Sequence, residues 1–424
     1  MTYEESFKKI QNIIDNHFSS QKDEFVPGKS RLPLVKPSFG ADEINEAIDS
    51  LFSTWVTMGK KVKTFEERFA SYLGVKNATM LNSGSSANLV ALSVITNPLF
   101  KRQVPAGSEV LTPAVTWSTT VFPIINVGLK PILVDVSLED YNIDMDALEA
   151  AITPKTKVLM PVHLLGAPAD MNRMMEIAEE KNLLVMEDTC ESHGSEIGGR
   201  KAGSFGDLAT FSFFMSHHIT TVEGGMLVTN NEEIFEMAKA MRAFGWIRDL
   251  KNKESYAKQS PHVDPNFLFV NTGYNFRPTE MQGAFGMHQV GKLEKFIEAR
   301  RKNHFFWNKA LEEFSDYLIL PQERKGTRHV AFAYALTVKP NAPFTKKALV
   351  EHLNKNLIET RQIEAGNMAE QPAMKILPHA AHGDLPNSKL IMKNGFFFGN
   401  HQALGKEERE YIANVISDFV RKNT

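Results

Sequence analysis

The stretch that decides the fold runs from Val158 to Met186 and reads VLMPVHLLGAPADMNRMMEIAEEKNLLVM. Two short apolar runs, Val158–Val162 and Leu183–Met186, flank Met171–Lys181, where apolar residues recur at helical spacing. Further apolar runs of the same kind are Glu109–Thr112 and Pro131–Val134. Strands that alternate with helices predict an α/β fold, in which a mostly parallel sheet is covered by helices on both faces.

The pattern changes along the chain and predicts three parts. Residues 1–35 read as a helix followed by an irregular arm, and residues 36–295 as the large α/β domain. Residues 296–424 read as a smaller α+β domain, and a long charged helix that begins at Lys292 (KLEKFIEARRKNHFFWNKALEEF) leads into it. Its other predicted elements are an extended piece, Val330–Val338, and helices near Lys346–Asn356 and Glu407–Lys422.

Composition excludes several classes of function. Lys plus Arg is 48 and Asp plus Glu is 50, and this balance argues against a protein that binds nucleic acid through a basic surface. The single cysteine, Cys190, excludes an internal disulfide and a cluster held by several thiolates. The uncharged stretch Val110–Leu129 contains too many Pro, Asn and hydroxyl residues for a lipid-facing helix. We therefore expect a cytoplasmic protein without a membrane span; the first residues also lack the apolar core of a signal peptide.

Ligands of open α/β sheets bind at the carboxyl ends of the strands, so the segments that follow the apolar runs are the candidate site. Asn82–Ala87 (NSGSSA) follows Ala78–Leu81 and opens a helical run, which suits an anion site but equally a plain helix cap. Glu187–Asp188 could pair with a positive ring nitrogen, hold a metal or cap a turn. Trp117 could stack on a flat ligand or fill the core.

The most informative motif is Thr210–Gly225, TFSFFMSHHITTVEGG. Its two adjacent histidines cannot easily face one metal from a regular strand, because neighbouring side chains point to opposite faces. The i, i+4 spacing of helical zinc sites is also missing. A metal site is therefore not predicted, and a structural histidine remains the plain alternative.

Taken in order, these motifs resemble the DegT/DnrJ-type sugar aminotransferases, which are fold-type I pyridoxal phosphate (PLP) enzymes acting on nucleotide-linked keto-sugars. The resemblance runs from about Leu34 to the C-terminus. The motifs that carry it are Gly59–Ala70, Asn82–Ala87, His163–Asp170, Glu187–Asp188, Ser212–Gly225, Gly273–Arg277 and Thr360–Arg361.

The resemblance implies roles for individual residues. Gly84, Ser85, Ser86 and Ser212 are implied to bind the cofactor phosphate. Trp117 is implied to stack on the pyridine ring, and Asp188 to pair with its protonated nitrogen. Glu191, where the family usually has Gln, is implied to lie within reach of the ring hydroxyl. Asn275 is implied to reach the phosphate of the other subunit, which makes the expected enzyme a homodimer with shared active sites.

One departure from the family pattern changes the expected chemistry. The lysine that bonds covalently to PLP lies five residues after the phosphate-binding serine and six before the Glu of Glu–Gly–Gly, and both counts arrive at His217. There is no lysine between Lys201 and Lys239. An imidazole cannot form the C=N bond of a Schiff base, since that requires a primary amine. It can transfer protons near neutral pH.

This form of the motif resembles a subgroup of sugar 3-dehydratases that includes the GDP-4-keto-6-deoxy-D-mannose 3-dehydratases. The resemblance implies non-covalently bound pyridoxal and pyridoxamine phosphate, glutamate as amino donor and ammonia as a product. His217 is implied to remove a proton from the cofactor and to pass it to the leaving hydroxyl at carbon 3. A related branch uses an iron–sulfur cluster, which one cysteine cannot supply.

The sequence also predicts substrate contacts and leaves two alternative functions open. Met58, Gly59 and Arg361 lie in segments that in the family approach the nucleotide-sugar, and Arg361 could pair with its diphosphate. The first alternative is a sugar aminotransferase whose lysine has been replaced. The second is a non-catalytic binding protein built on the same fold.

Overall fold

The structure is a computed structural model and describes residues 2–20 and 24–424. Residues 1 and 21–23, which belong to the predicted N-terminal helix and arm, lie outside the described residues. The α-helices of the described chain are α1 Tyr3–Ser20, α2 Ala41–Phe52, α3 Lys60–Leu73, α4 Gly84–Thr96, α5 Ser118–Asn126, α6 Met145–Ala150, α7 Met171–Lys181, α8 Glu232–Arg242, α9 Lys253–Gln259, α10 Glu280–Leu311, α11 Lys346–Lys355, α12 Pro386–Asn394 and α13 Lys406–Asn423.

The strands fall into three sheets. They are β1 Asn77–Leu81, β2 Glu109–Pro113, β3 Lys130–Val134, β4 Thr156–Leu159, β5 Leu184–Asp188, β6 Glu196–Ile197, β7 Arg200–Lys201, β8 Leu208–Ser212, β9 Gly225–Thr229, β10 Leu318–Ile319, β11 Thr327–Arg328, β12 Ala333–Val338, β13 Thr360–Arg361, β14 Ala380–Ala381 and β15 Gly395–Gly399.

The main sheet has eight strands in the order β1-β9-β8-β5-β4-β2-β3-β14. Strand β9 is antiparallel to both of its neighbours, and the other pairs are parallel. The carboxyl ends of β1, β8 and β5 therefore meet at one edge. This arrangement confirms the predicted α/β class with a mixed, mostly parallel sheet.

Both faces of this sheet are buried, which explains why its strands read as continuous apolar runs. Val158, Leu184 and Met186 pack on one face in the cluster that includes α4. Leu159 and Val185 point to the other face and pack with α7. The rigid layer so formed holds the loops at the carboxyl edge in fixed positions.

A second, antiparallel sheet in the order β10-β12-β15-β13 lies in the C-terminal part, where it packs with α11 and α13. Helix α10 runs unbroken through the predicted division between residues 295 and 296, and β14 pairs with β3 of the main sheet. The division into parts at these boundaries stays a prediction. No helix within residues 2–20 and 24–424 is long and apolar enough to cross a membrane.

Candidate active site

A cavity of about 370 Å³ opens at the carboxyl ends of β1, β5 and β8. The predicted site residues that line it are Gly84, Ser85, Trp117, Asp188, Glu191, Ser212, His217 and Arg361. Segments far apart in the sequence therefore meet at this edge, as the rule for open α/β sheets predicts.

One wall of the cavity is the start of helix α4. Ser83 caps the helix, because its hydroxyl oxygen accepts a hydrogen bond from the Ser86 backbone N–H at 3.1 Å. Gly84 lies so close to Ser212 that a Cβ atom there would be 2.5 Å from the Ser212 Cβ. Gly84, Ser85 and Ser212 line the same cavity at a helix N-terminus, and such a place suits an anion.

Asp188 is buried at the end of β5, with its carboxylate toward the cavity. Its Oδ2 accepts hydrogen bonds from Asn88 Nδ2 at 3.0 Å and from Thr120 Oγ1 at 2.9 Å. Its Oδ1 accepts one from the backbone N–H of Cys190 at 3.3 Å. These donors orient a carboxylate that can pair with a positively charged ligand nitrogen.

Glu187, the other half of the predicted acidic pair, points away from the cavity because side chains alternate along a strand. Its carboxylate accepts hydrogen bonds from the backbone N–H groups of Gly203, Phe205 and Gly206 at 2.7 to 2.8 Å. It also contacts His163 Nε2 at 3.1 Å. Glu187 therefore fixes a loop, and only Asp188 faces the cavity.

His217 lies in the loop between β8 and β9 and lines the cavity. Its ring packs against Phe332, with ring centres 5.4 Å apart, and against His193 at 5.9 Å. Its Nδ1 is enclosed and makes no hydrogen bond to any described residue, whereas Nε2 is not enclosed in this way. Burial, and secondly the charge of Arg300, lower the pKa of His217 to about 3. The imidazole is therefore neutral near pH 7, and its lowered pKa makes it a weaker base than an exposed histidine.

Comparison with known proteins places this geometry in a family. The model of the DegT/DnrJ/EryC1/StrS aminotransferase family matches residues 37–417. The chain belongs to this family. The GDP-4-keto-6-deoxy-D-mannose 3-dehydratases of Yersinia pseudotuberculosis and Escherichia coli O55:H7 are 38% and 37% identical, each over 91% of this chain and 98% and 99% of their own lengths.

Solved structures agree with this membership in the DegT/DnrJ/EryC1/StrS family. The E. coli GDP-4-keto-6-deoxy-D-mannose-3-dehydratase with bound hydrated PLP matches with a TM-score of 0.86 and 36% identity, over 91% of this chain and 99% of that one. A structure of GDP-4-keto-6-deoxymannose-3-dehydratase with a trapped PLP-glutamate geminal diamine matches with the same TM-score and identity, over 91% of this chain and 100% of that one. The aminotransferase fold is thereby confirmed.

The residues present fit the PLP cofactor of the family. Gly84 leaves room for a close backbone approach beside Ser212, and the Asp188 carboxylate is ready to meet a ring nitrogen. The ring of Trp117 is 45% exposed, with the Arg361 guanidinium 5.5 Å from its centre. No lysine is among the described residues that line the cavity, so nothing there can bond covalently to an aldehyde as the family lysine does.

Four predicted site residues do not line the cavity of the described chain. The Ser86 hydroxyl contacts Ser83 Oγ at 2.9 Å. Asn275 is exposed, and its Oδ1 accepts a hydrogen bond from Arg277 Nε. Met58 and Gly59 lie at the start of α3, where Glu280 Oε2 accepts a hydrogen bond from the Gly59 N–H at 2.7 Å. Their assignments stay predictions.

The residues that line the cavity but are missing from the sequence-based set include Asn88, Thr120 and Glu364. Asn88 lies one turn after Gly84 on an otherwise apolar helix face. A polar residue in such a buried position could have been identified from the sequence as a functional candidate. Thr120 and Glu364 lie among other polar residues of their segments, and no spacing distinguishes them.

Proposed function

We propose that the chain is a PLP-dependent lyase, a 3-dehydratase that removes the hydroxyl at carbon 3 of a nucleotide-linked 4-keto-6-deoxyhexose. GDP-4-keto-6-deoxy-D-mannose is the proposed substrate, glutamate the amino donor and ammonia a product. The two relatives at 37–38% identity carry this activity in their names. The observation that supports the proposal most strongly is the position of His217 in a cavity that no lysine of the described chain lines.

Several groups that line the cavity are proposed to hold pyridoxal and pyridoxamine phosphate without a covalent bond. The cofactor supplies an electron sink when bound. Gly84, Ser85 and Ser212 are proposed to hold its phosphate, and Trp117 to cover its ring. Asp188 is proposed to keep the ring nitrogen protonated, since three donors fix its carboxylate in place.

His217 is proposed to move the proton of the dehydration. With the cofactor bound, Nε2 of His217 would take up the proton that the cofactor carbon gives up, and the same nitrogen would donate it to the hydroxyl that leaves carbon 3. The enclosed Nδ1 leaves Nε2 as the ring nitrogen that is proposed to serve both steps.

The proposal also includes contacts with the nucleotide-sugar and with a second subunit. Arg361 lines the cavity and is proposed to pair with the diphosphate. Asn275 faces solvent in a single chain, which suits a residue that enters the site of a partner in a homodimer. Met58 and Gly59 are proposed to approach the sugar in the same assembly. We also propose a cytoplasmic location on the sequence grounds given above.

The deciding experiment compares His217→Lys with His217→Gln. With PLP, the lysine variant should gain a band of covalently bound cofactor that borohydride fixes to the chain, and both variants should lose dehydration. The original chain should retain no such band after gel filtration but should release ammonia from the keto-sugar with excess glutamate. Unchanged dehydration in His217→Gln, or an amino-sugar as the product of the original chain, would contradict the proposal.

A further inference from the structure

A buried histidine next to the cavity, His193, has no role in the mechanism above. It follows β5, is fully buried and does not itself line the cavity. Its ring centre lies 5.9 Å from that of His217 and 5.7 Å from that of His218. His218 is also fully buried. His193 is therefore the ring that contacts both members of the adjacent histidine pair.

Four ring nitrogens of these three histidines are enclosed and make no hydrogen bond of good geometry to any described residue. They are both nitrogens of His193 and the Nδ1 atoms of His217 and His218. Buried polar atoms of folded proteins nearly always have a partner, either in the protein or in an ordered buried water. The four nitrogens therefore indicate a hydrogen-bonded chain that runs through the three rings.

Each of the three rings has one donor and one acceptor to contribute to this chain. Burial lowers the pKa of His193, His217 and His218, so all three are neutral near pH 7. A neutral imidazole carries one N–H group and one nitrogen with a free lone pair. At His193 the charge of His217 acts in the same direction as burial, and the Ser212 backbone opposes both.

The tautomer of His218 sets the direction of the chain. Its Nε2 lies 3.0 Å from the Val330 carbonyl oxygen, which can only accept, so Nε2 carries the proton and Nδ1 is an acceptor. A donor of His193 toward His218 matches that acceptor and leaves the other His193 nitrogen as an acceptor for His217. The opposite order would set two lone pairs against each other. A buried water between two rings preserves the order, because it accepts from one nitrogen and donates to the next.

We propose that His193 is a positioning residue that accepts a hydrogen bond from Nδ1–H of His217, directly or through one buried water, and so leaves Nε2 of His217 with its lone pair free for the cavity. The inference rests on the proposed function for the reaction that Nε2 serves. A histidine base needs a group that fixes its tautomer, because a ring with its proton on Nε2 offers no lone pair to the substrate.

The first test is nitrogen-15 magnetic resonance of the cofactor-free protein near pH 7, with labelled histidine and with His217→Gln to assign the His217 signals. The original chain should have a protonated Nδ1 and an unprotonated Nε2 at His217. His193→Phe keeps a ring but removes the acceptor, so the proton should move to Nε2. His193→Gln keeps an acceptor oxygen and should hold the proton on Nδ1. A His217 proton on Nε2 in the original chain, or one unmoved in His193→Phe, would overturn the inference.

The second test is the kinetics of the same variants. His193→Phe should lower kcat about 100-fold with an unchanged KM and an unchanged affinity for PLP, and His193→Gln should recover part of kcat. His401→Phe is the matched control and should leave kcat unchanged. His401 is buried, and neither of its ring nitrogens has a partner of good geometry within the described residues, but it does not line the cavity.

The outcomes separate this inference from the proposed function. Full kcat in His193→Phe, or an equal loss in His401→Phe, would refute the role given to His193. The magnetic resonance readout requires neither cofactor nor turnover. A chain whose His217 tautomer depends on His193 but which performs no dehydration would therefore refute the proposed function alone.

Discussion

At the scale of single residues, the chemistry depends on how Asp188 is held. Asn88 joins the carboxylate to the rest of the site, because its Nδ2 also donates to the Thr119 carbonyl at 3.0 Å and its Oδ1 accepts from Thr210 Oγ1 at 2.5 Å. The amide is thereby fixed on both sides. It can therefore hold the Asp188 oxygen in a fixed direction.

We predict that Asn88→Ala lowers kcat/KM about 10- to 100-fold, the effect of losing a hydrogen bond to a charged group worth about 1.5 to 3 kcal/mol. Thr120→Val removes the other side-chain donor and should act in the same direction. Steady-state kinetics of both single variants and the double variant give the coupling between them. Thr96→Ala, at the far end of α4, is the control, and an equal loss there would refute the specific role of Asn88.

The sequence predicts most of this site at the residue scale but not the network behind it. The order of the motifs along the chain is what makes their site residues recognisable, and these motifs contain Ser83–Ser86, Asp188 and His217. Asn88 and Thr120 are identified only when α4 and α5 are packed against β5, because their function lies in contacts across about 70 to 100 residues of sequence.

At the scale of elements, helix α10 supports the segment of Phe332, whose ring packs against His217. Arg300 on this helix is buried and donates hydrogen bonds to the backbone carbonyls of Phe332, at 2.7 Å, and Asn400. No carboxylate within the described residues pairs with it. Burial lowers the pKa of Arg300 to about 9, and its charge helps to lower the pKa values of His193, His217, His218 and His401.

We predict that Arg300→Met raises the pKa of His217, because it removes a positive charge that opposes protonation of the ring. A base works in its neutral form, so the acid limb of the kcat/KM profile should move to higher pH by about one unit. Arg300→Lys keeps the positive charge and should move this acid limb less. Nuclear magnetic resonance titration of the His217 ring provides the direct check. An unchanged pKa in Arg300→Met would show that burial alone sets it.

Elements differ in how well the sequence predicts them. Helix α7 has the predicted bounds, Met171–Lys181, because its periodicity is clear on one face. Helix α10 begins at Glu280, earlier than its charged stretch suggests, since Gly283 and Gly286 hide the pattern. Both glycines are required by packing, with Val62 and Phe65 of α3 in direct contact. Strand β14 has two residues, too few for any periodicity.

At the scale of the whole molecule, the buried histidines couple the fold to pH. Six histidines have lowered pKa values, chiefly because they are buried, and they are His193, His217, His218, His304, His329 and His401. The values for His217 and His401 are about 3, and that for His304 is about 4. Below about pH 6.5 the histidines of the unfolded chain take up protons, whereas those of the folded chain stay neutral. Acid therefore favours the unfolded chain.

The sign of the effect follows from proton uptake. Between about pH 6.5 and the folded pKa the unfolded chain binds more protons, so each such histidine lowers the free energy of unfolding by up to about 1.4 kcal/mol per pH unit of acidification. The raised pKa values of Glu191 and Glu364 act in the opposite direction, since a folded chain that keeps a proton gains stability as the pH falls. Six histidines outweigh these two carboxyl groups.

We therefore predict that the free energy of unfolding falls by several kcal/mol between about pH 7 and about pH 5, measured by urea denaturation at both values. His401→Gln should reduce this fall by up to about 2 kcal/mol, because one proton-linked group is removed. His262→Gln, at an exposed position, should leave the fall unchanged. A stability that stays level or rises on acidification would show that the histidines are charged in the folded chain, and the neutral imidazole required of His217 would then lose its physical basis.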